Sequence, residues 1–453
     1  MNQVSVESDF LLKKKTIFAH TYKKAKSSRM KLLISNAQVC DFQSPFHGKT
    51  CDILVNGDFI EQISLSSKKQ QIAVKGIKQI EAKGLLIFPG LFDMRADFCD
   101  PGFEQKETLA SGSKAALNGG YTDVALLPST NPVRDSKIGV EYVLNQGKSQ
   151  AINLHAYGAL SQGRDGKELA EHFDMHSAGA IGFTDGNRPV DNSGLLLRSL
   201  LYNKIFNGLV LVLANDSHIS EGGRMHEGNV STLLGLKGIP TIAEELIVHR
   251  DIEILKYTGG RLHFSVITSK GSVELIRKAK KQGLLVTADV SFANLCFTDE
   301  NLMDYDSNFK LHPPLRSKQD QKALWEGVQD GTIDAIVSNH QPQNKEHKEV
   351  EFEYALPGMI TLQTLLPKLL AHKPATIELS KVVAALTEGP RRVLNQNQVS
   401  IAEGKLASLT LFDPSKEWIY KNNFSKSENS PLLNTKLTGA FTHVICKDQL
   451  HTL

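Results

Sequence analysis

Phe88-Pro89-Gly90-Leu91-Phe92-Asp93-Met94-Arg95-Ala96-Asp97-Phe98 contains a short apolar run that ends in polar residues, and the middle of the chain keeps repeating that phrase. Candidate strands are Leu91–Asp97, Asp123–Ser129, Asn153–Leu160, Ala180–Asp185, Leu209–Asn215, Arg261–Thr268, Leu284–Ser291 and Ile333–His340. Helix-patterned segments lie between them at Thr108–Asn118, Lys167–Ser177, Ile242–Tyr257, Ser272–Lys281 and Asp320–Gln329, several closed by a glycine. Successive βα units with right-handed crossovers bury both faces of every strand, which predicts an α/β fold of the (β/α)8 TIM-barrel type. A doubly wound open sheet is the alternative. Reacting groups in such a barrel stand at the C-terminal strand ends, and alternation puts Asp93, Arg95 and Asp97 on one face, the interior of the mouth.

Outward from the barrel, residues 30–87 carry short β-rich pieces at Leu32–Ala37, Cys51–Val55, Phe59–Ile63 and Gln79–Ala82, with Asn56-Gly57-Asp58 as a hairpin turn. The same texture returns in residues 400–453, at Leu406–Phe412, Glu417–Tyr420 and Ala440–Cys446. Each half has too few strands for its own core, so the two are expected to join in one small β-sandwich, leaving 88–399 to the barrel and its C-terminal helices. Residues 1–29, with Lys13, Lys14, Lys15, Lys23, Lys24, Lys26 and Arg29, read as a basic extension ahead of Met30; a targeting peptide is the alternative.

The 453 residues are 41% hydrophobic and 22% charged, a composition that excludes wholesale disorder. Lys+Arg 52 against Asp+Glu 49 leaves +3, too balanced for a nucleic-acid or membrane partner recognised by bulk charge. The five cysteines, Cys40, Cys51, Cys99, Cys296 and Cys446, are scattered and form no C-x-x-C, which fits a cytoplasmic protein without disulfides.

Pro89 to Asp97 resembles the amidohydrolase superfamily, and within it the long, allantoinase-like dihydroorotases, whose motif here is P-G-x-x-D-x-H-x-H with two metal-binding histidines. The resemblance runs from about Asn36 to the C-terminus. Gly119-Gly120-Tyr121-Thr122 with Leu127-Pro128, Leu234 to Pro240 with Ala243-Glu244-Glu245, Pro313-Pro314-Leu315-Arg316 and Asp330-Gly331-Thr332-Ile333-Asp334 carry it further. It implies the barrel with its β-sandwich, and a metal-dependent hydrolysis of a cyclic amide.

The departures fall on the positions where the resemblance implies function. Arg95 and Asp97 stand in place of the two histidines, and a guanidinium has no lone pair to offer a metal. The implied substrate positions, an arginine and two asparagines, hold Cys99, Ser129 and His312. Asp185 matches the metal-bridging carboxylate, whereas Leu213 and Val266 replace histidine ligands, and Asn339 replaces the aspartate that accepts the proton of the attacking water. His340, with Asp97 and Asp185, is the remaining strand-end residue with ligating atoms. His155, His218, His226, His249 and His263 read as surface and core histidines rather than a relocated site, and Cys99 has no positioned histidine to make it a nucleophile.

The resemblance and these departures together imply a dihydroorotase-like protein of pyrimidine biosynthesis that is catalytically inactive, needs no cofactor and serves as a structural or regulatory subunit. A homo-oligomer is expected, with aspartate transcarbamoylase as the implied partner. The alternatives are an active dihydroorotase or related cyclic amide hydrolase with an altered zinc site, and a self-associating scaffold. Without a dication the mouth needs a cation, so Arg95 is expected to pair with Asp185 at the former metal position.

Overall fold

The computed structural model describes residues 30–67 and 77–453; the basic extension at 1–29 lies outside the described residues. Leu91–Ala96, Tyr121–Leu126 and Asn153–Ala156 pair in parallel. Phe183 bridges Gly158 on one side and Val210 on the other. Leu209–Leu213, Arg261–Ser265, Val286–Ser291 and Ala335–Val337 continue in parallel, and a bridge from Ala96 to His340 closes the ring. These are the eight barrel strands of the sequence, and the closed ring rules out the open-sheet alternative. The fourth, expected over Ala180–Asp185, is reduced to the bridges at Phe183, because Gly179 (φ 106°) and Gly186 (φ 65°) turn the chain out of the extended conformation on both sides.

Helices Leu109–Asn118, Ile242–Thr258, Lys270–Lys281 and Lys318–Asp330 cover segments whose periodicity was helical. The expected helix over Lys167–Ser177 shortens to His172–Ser177, since Leu169 instead bridges Ser161 across the loop. Side chains from alternate positions of the strands fill the barrel: Phe92, Met94, Ala125, Leu127, Tyr157, Leu209, Leu211, Val266, Ala335 and Val337 form one buried cluster. Residues of the opposite parity, such as Val124, Leu126, Val210, Val212, Phe264 and Ile336, face the helices in a larger cluster.

Both ends of the chain meet in one eight-stranded sheet. Its path runs Gln449–Thr452, Lys436–Cys446, Leu409–Ile419, Leu86–Pro89, Lys31–Val39, Thr50–Asn56, Phe59–Leu65, with Lys78–Glu81 also paired to Lys31–Val39. The sheet curls until Ile60 meets the backbone of Gly404 and Lys405, enclosing an apolar core of its own. Leu86–Pro89 is the seam, pairing in parallel with Lys31–Val39 and antiparallel with Leu409–Ile419. This strand runs across the expected boundary at 87/88 and passes through Gly90 into the first barrel strand. The two expected strands around Asp413-Pro414 are one strand, Leu409–Ile419, with a register shift between Asp413 and Glu417 where proline cannot donate to the ladder.

Candidate active site at the barrel mouth

The first barrel strand does not alternate simply. Its pairing with Tyr121–Leu126 shifts register between Asp93 and Ala96, and a bulge of this kind re-aims the side chains around it. Phe92 and Met94 therefore point into the barrel, while Asp93 turns to the eighth strand and accepts from Ser338 N at 2.9 Å and from the Ser338 hydroxyl. Ser338 alternates with the interior Val337, so Asp93 lies toward the outer layer and does not share the face expected for Asp93, Arg95 and Asp97. Burial pushes the Asp93 carboxyl up to about 6 against the pull of the Ser338 bonds.

Arg95 follows the bulge and enters the mouth, where its side chain is almost fully buried. Nε donates to Asn339 Oδ1 at 2.9 Å, Nη1 to Ser265 Oγ at 2.9 Å, and Nη2 to Asn187 Oδ1 at 2.6 Å and Gly186 O at 3.3 Å. The expected pair with Asp185 is not formed, and no carboxylate among the described residues comes within 4.0 Å of the guanidinium. Asp185 is engaged elsewhere: Leu160 N and Ser161 N each donate to Oδ1 at 3.0 Å, and Ser161 Oγ donates to Oδ2 at 2.6 Å. Its bonds hold the loop that follows the third strand, and burial raises its pKa.

The remaining positions divide between the mouth and the layer outside it. Asp97 accepts from Cys99 N at 3.0 Å; burial raises its pKa, opposed by that bond and by the charges of Arg164 and Arg134. Cys99 is buried in a left-handed conformation (φ 60°), and desolvation pushes its thiol far above the range in which a thiolate forms. Ser129 has a buried hydroxyl with no partner among the described residues. Half-buried His312 is held neutral, lowered to about 4 by burial and by the charges of Arg95 and Arg316. Val266 (φ 57°) belongs to the interior cluster, and Leu213 shares the interior parity of Leu209 and Leu211. Asn339 (φ 48°) accepts from both Arg95 and Gln341 Nε2, the latter at 2.8 Å.

His340, read as a strand-end ligand candidate, does not face the mouth. Thr361 N donates to its Nδ1 at 3.1 Å, which leaves the proton on Nε2 to face Glu107 Oε2 at 3.4 Å. Parity explains the difference: His340 shares the outward side of Ser338, under the ring of Phe98.

Residue-by-residue matching to ligand positions missed Ser265, Asp289, Asn187 and Gln341, all in contact with Arg95 or one step from it, and the two arginines that flank Asp97. Ser265 and Asp289 have the interior parity of their strands, a signal the sequence contained. Arg134 and Arg164 sit in loops after the second and third strands, the end of the barrel where function concentrates.

Other motifs that carry the resemblance converge on the loops beyond the strand ends. Glu244 accepts from Thr268 N at 2.9 Å, Ser269 N at 3.0 Å and the Thr268 hydroxyl. Buried Arg316 lies 3.9 Å from that carboxylate and donates to Ile239 O at 2.6 Å and Thr268 Oγ1 at 3.0 Å. These residues fasten the loops beyond the fifth, sixth and seventh strands.

A metal of the kind the resemblance implies does not fit this donor set. Arg95 supplies fixed positive charge where a ligand would stand, Val266 and Leu213 are hydrocarbons, and Asp185 already accepts three hydrogen bonds. Among the described residues no group of three or more His, Cys, Asp or Glu side chains is arranged to hold a metal ion. No helix among them is long and apolar enough to cross a membrane.

Known proteins place the chain clearly. A family model described as Dihydro-orotase-like matches residues 84–272, and one described as Amidohydrolase family matches 221–450. The chain is 37% identical over 414 residues to a dihydroorotase of Syntrophus aciditrophicus, covering 90% of this chain and 96% of the relative. It is 39% identical over 414 residues to a dihydroorotase of Pelotomaculum thermopropionicum, with the same coverage. Among solved structures, the L-hydantoinase of Arthrobacter aurescens superposes with a TM-score of 0.80 at 21% identity, over 94% of this chain and 97% of that one, a likeness of fold alone. With the barrel, the two-ended β domain and relatives matched over almost their whole length, the chain belongs to the dihydroorotase family of the amidohydrolase superfamily.

Proposed function

We propose that this chain is a dihydroorotase-family protein of pyrimidine biosynthesis whose barrel mouth does not perform the metal-dependent hydrolysis of dihydroorotate, and that it serves as a structural or regulatory subunit. One observation carries the reading: the Arg95 guanidinium, bonded to Asn339, Ser265, Asn187 and Gly186, fills the ligand position. Opening an unactivated ring amide requires a polarised carbonyl, an activated water and a proton acceptor. Asn339 has no basicity for the last of these, and the donor set does not support the first two through a metal. What remains is a barrel with a polar mouth, suited to assembly rather than turnover. The resemblance to noncatalytic homologues makes aspartate transcarbamoylase the candidate partner, alongside self-association.

The second reading is an active cyclic amide hydrolase that converts dihydroorotate to N-carbamoyl-aspartate, with zinc as its expected metal. The shared name of the relatives favours it, and on family membership alone it is the better supported of the two. It requires ligands other than the residues now at the family positions. Metal content of the purified protein, with co-purification against a transcarbamoylase from the same source, tests the proposal: substoichiometric zinc and a stable complex are expected. Two tightly bound zinc ions per chain would favour the second reading.

A further inference from the structure

A cavity of about 580 Å³ lies at the opposite end of the barrel from Arg95, between the N-terminal strand ends and the curled sheet. Asp123 stands in its wall and accepts from Arg391 Nη2 at 2.7 Å, His155 Nε2 at 3.0 Å, Asn153 Nδ2 at 3.1 Å and Thr122 Oγ1 at 2.8 Å. Burial works against ionisation there, but Arg391 and the other donors hold this carboxyl well below the usual carboxylate range.

With Asp123 satisfied and neutralised by Arg391, the other charged lining groups, Lys148 and Lys447, are both cationic. Lys447 contributes field rather than free donors, because its ammonium already serves Gly147 O, Gln150 O and Ile152 O at 3.1, 2.9 and 2.7 Å. Lys148, exposed at the rim, bonds only Asn145 Oδ1 at 2.8 Å and keeps two N–H groups. His155, stacked on Phe92 with centroids 4.9 Å apart, has its Nε2 fixed by Asp123 and no protein partner recorded for Nδ1 among the described residues. The same ring lines a second cavity of about 520 Å³, which adds Arg261. Thus a lysine with two free N–H groups and an oriented imidazole, whose Nδ1 donates only in the protonated imidazolium form, face a concave site of net positive charge.

We infer that this underside cavity is a binding site for a small anionic ligand, a carboxylate or phosphate, held by Lys148 and by the His155 imidazolium in the field of Lys447. The site is separate from the barrel mouth, and its existence does not depend on whether the mouth hydrolyses anything. Charge-assisted hydrogen bonds of this kind contribute about 1.5–3 kcal/mol each, so losing one should weaken binding roughly tenfold or more.

Calorimetric titration of the full chain with inorganic phosphate and, separately, with succinate at constant ionic strength tests the inference. Saturable binding of either is expected, phosphate alone indicating phosphate esters and succinate alone indicating carboxylates as the ligand class. His155→Ala and Lys148→Met should each weaken it about tenfold or more. Lys148 is exposed, so its variant remains informative should His155→Ala disturb the Asp123 cluster. No saturable binding of either probe, or binding unchanged in Lys148→Met and in any folded His155 variant, would overturn the assignment.

Discussion

Arg95 and Asp289 share one hydroxyl: the guanidinium donates to Ser265 Oγ at 2.9 Å, and that hydroxyl donates to Asp289 Oδ2 at 3.1 Å. Asp289 also accepts from Val266 N at 2.6 Å and faces His263 Nε2 at 2.9 Å. The Arg95 charge is thus compensated across the sixth and seventh strands, through a serine, rather than by Asp185 on the fourth. Asp289 is also the leading carboxylate opposing the burial that lowers the Arg95 pKa.

This relay fixes which double mutants couple. Arg95→Ala should destabilise by about 3–5 kcal/mol, the range for breaking a buried charged network. In urea unfolding, Arg95→Ala with Asp289→Asn should show a coupling of about 1–3 kcal/mol, whereas Arg95→Ala with Asp185→Asn should be additive within about 0.5 kcal/mol. The reverse pattern would restore the direct Arg95–Asp185 pair.

Acid stability reports on a second buried group. His172 Nε2 faces Leu160 O at 2.7 Å and its Nδ1 accepts from Asn203 Nδ2 at 2.8 Å, so the ring is held neutral, and burial lowers its pKa to about 4. The folded value lies below the unfolded value near 6.5, so the contribution is fully present above pH 6.5 and is lost as pH falls toward 4, by up to roughly 3 kcal/mol. Measured by denaturant unfolding, the deficit of His172→Gln relative to wild type should shrink over that window. A pH-independent deficit would show that the ring does not titrate as this geometry requires.

Gly90 joins the sheet to the barrel where no side chain fits. A Cβ there would lie 2.2 Å from Thr122 Oγ1 and 2.5 Å from Ser408 Oγ, while the backbone is held by Ser408 O at 2.8 Å and Arg391 Nη1 at 2.9 Å. Gly90→Ala should therefore cost about 1–3 kcal/mol, as overpacking of a tight interior does. An unfolding midpoint unchanged from wild type would contradict that packing.

The barrel could be read from the sequence because burial on both faces leaves a repeated apolar signature, and the fourth strand was overextended because the glycines around Phe183 do not break that signature. The presence of Arg95 near the strand end was legible too, since it depends on residue identity alone. Side-chain direction was less so. A one-residue bulge after Asp93 left it in the outer layer, which regular alternation with Arg95 does not give, whereas the outward direction of His340 follows from alternation with the interior Val337. The Arg95–Ser265–Asp289 relay joins residues 170 and 24 positions apart, a pairing that only the closed barrel creates.

Turnover by the purified full-length protein, assayed in both directions with dihydroorotate and N-carbamoyl-aspartate and with zinc supplied, tests the central claim most directly. No rate above the protein-free background is expected, because Arg95 and Asn339 stand where a metal ligand and the proton acceptor are implied. A robust rate that disappears in Asp185→Ala would contradict it and establish the chain as an active dihydroorotase.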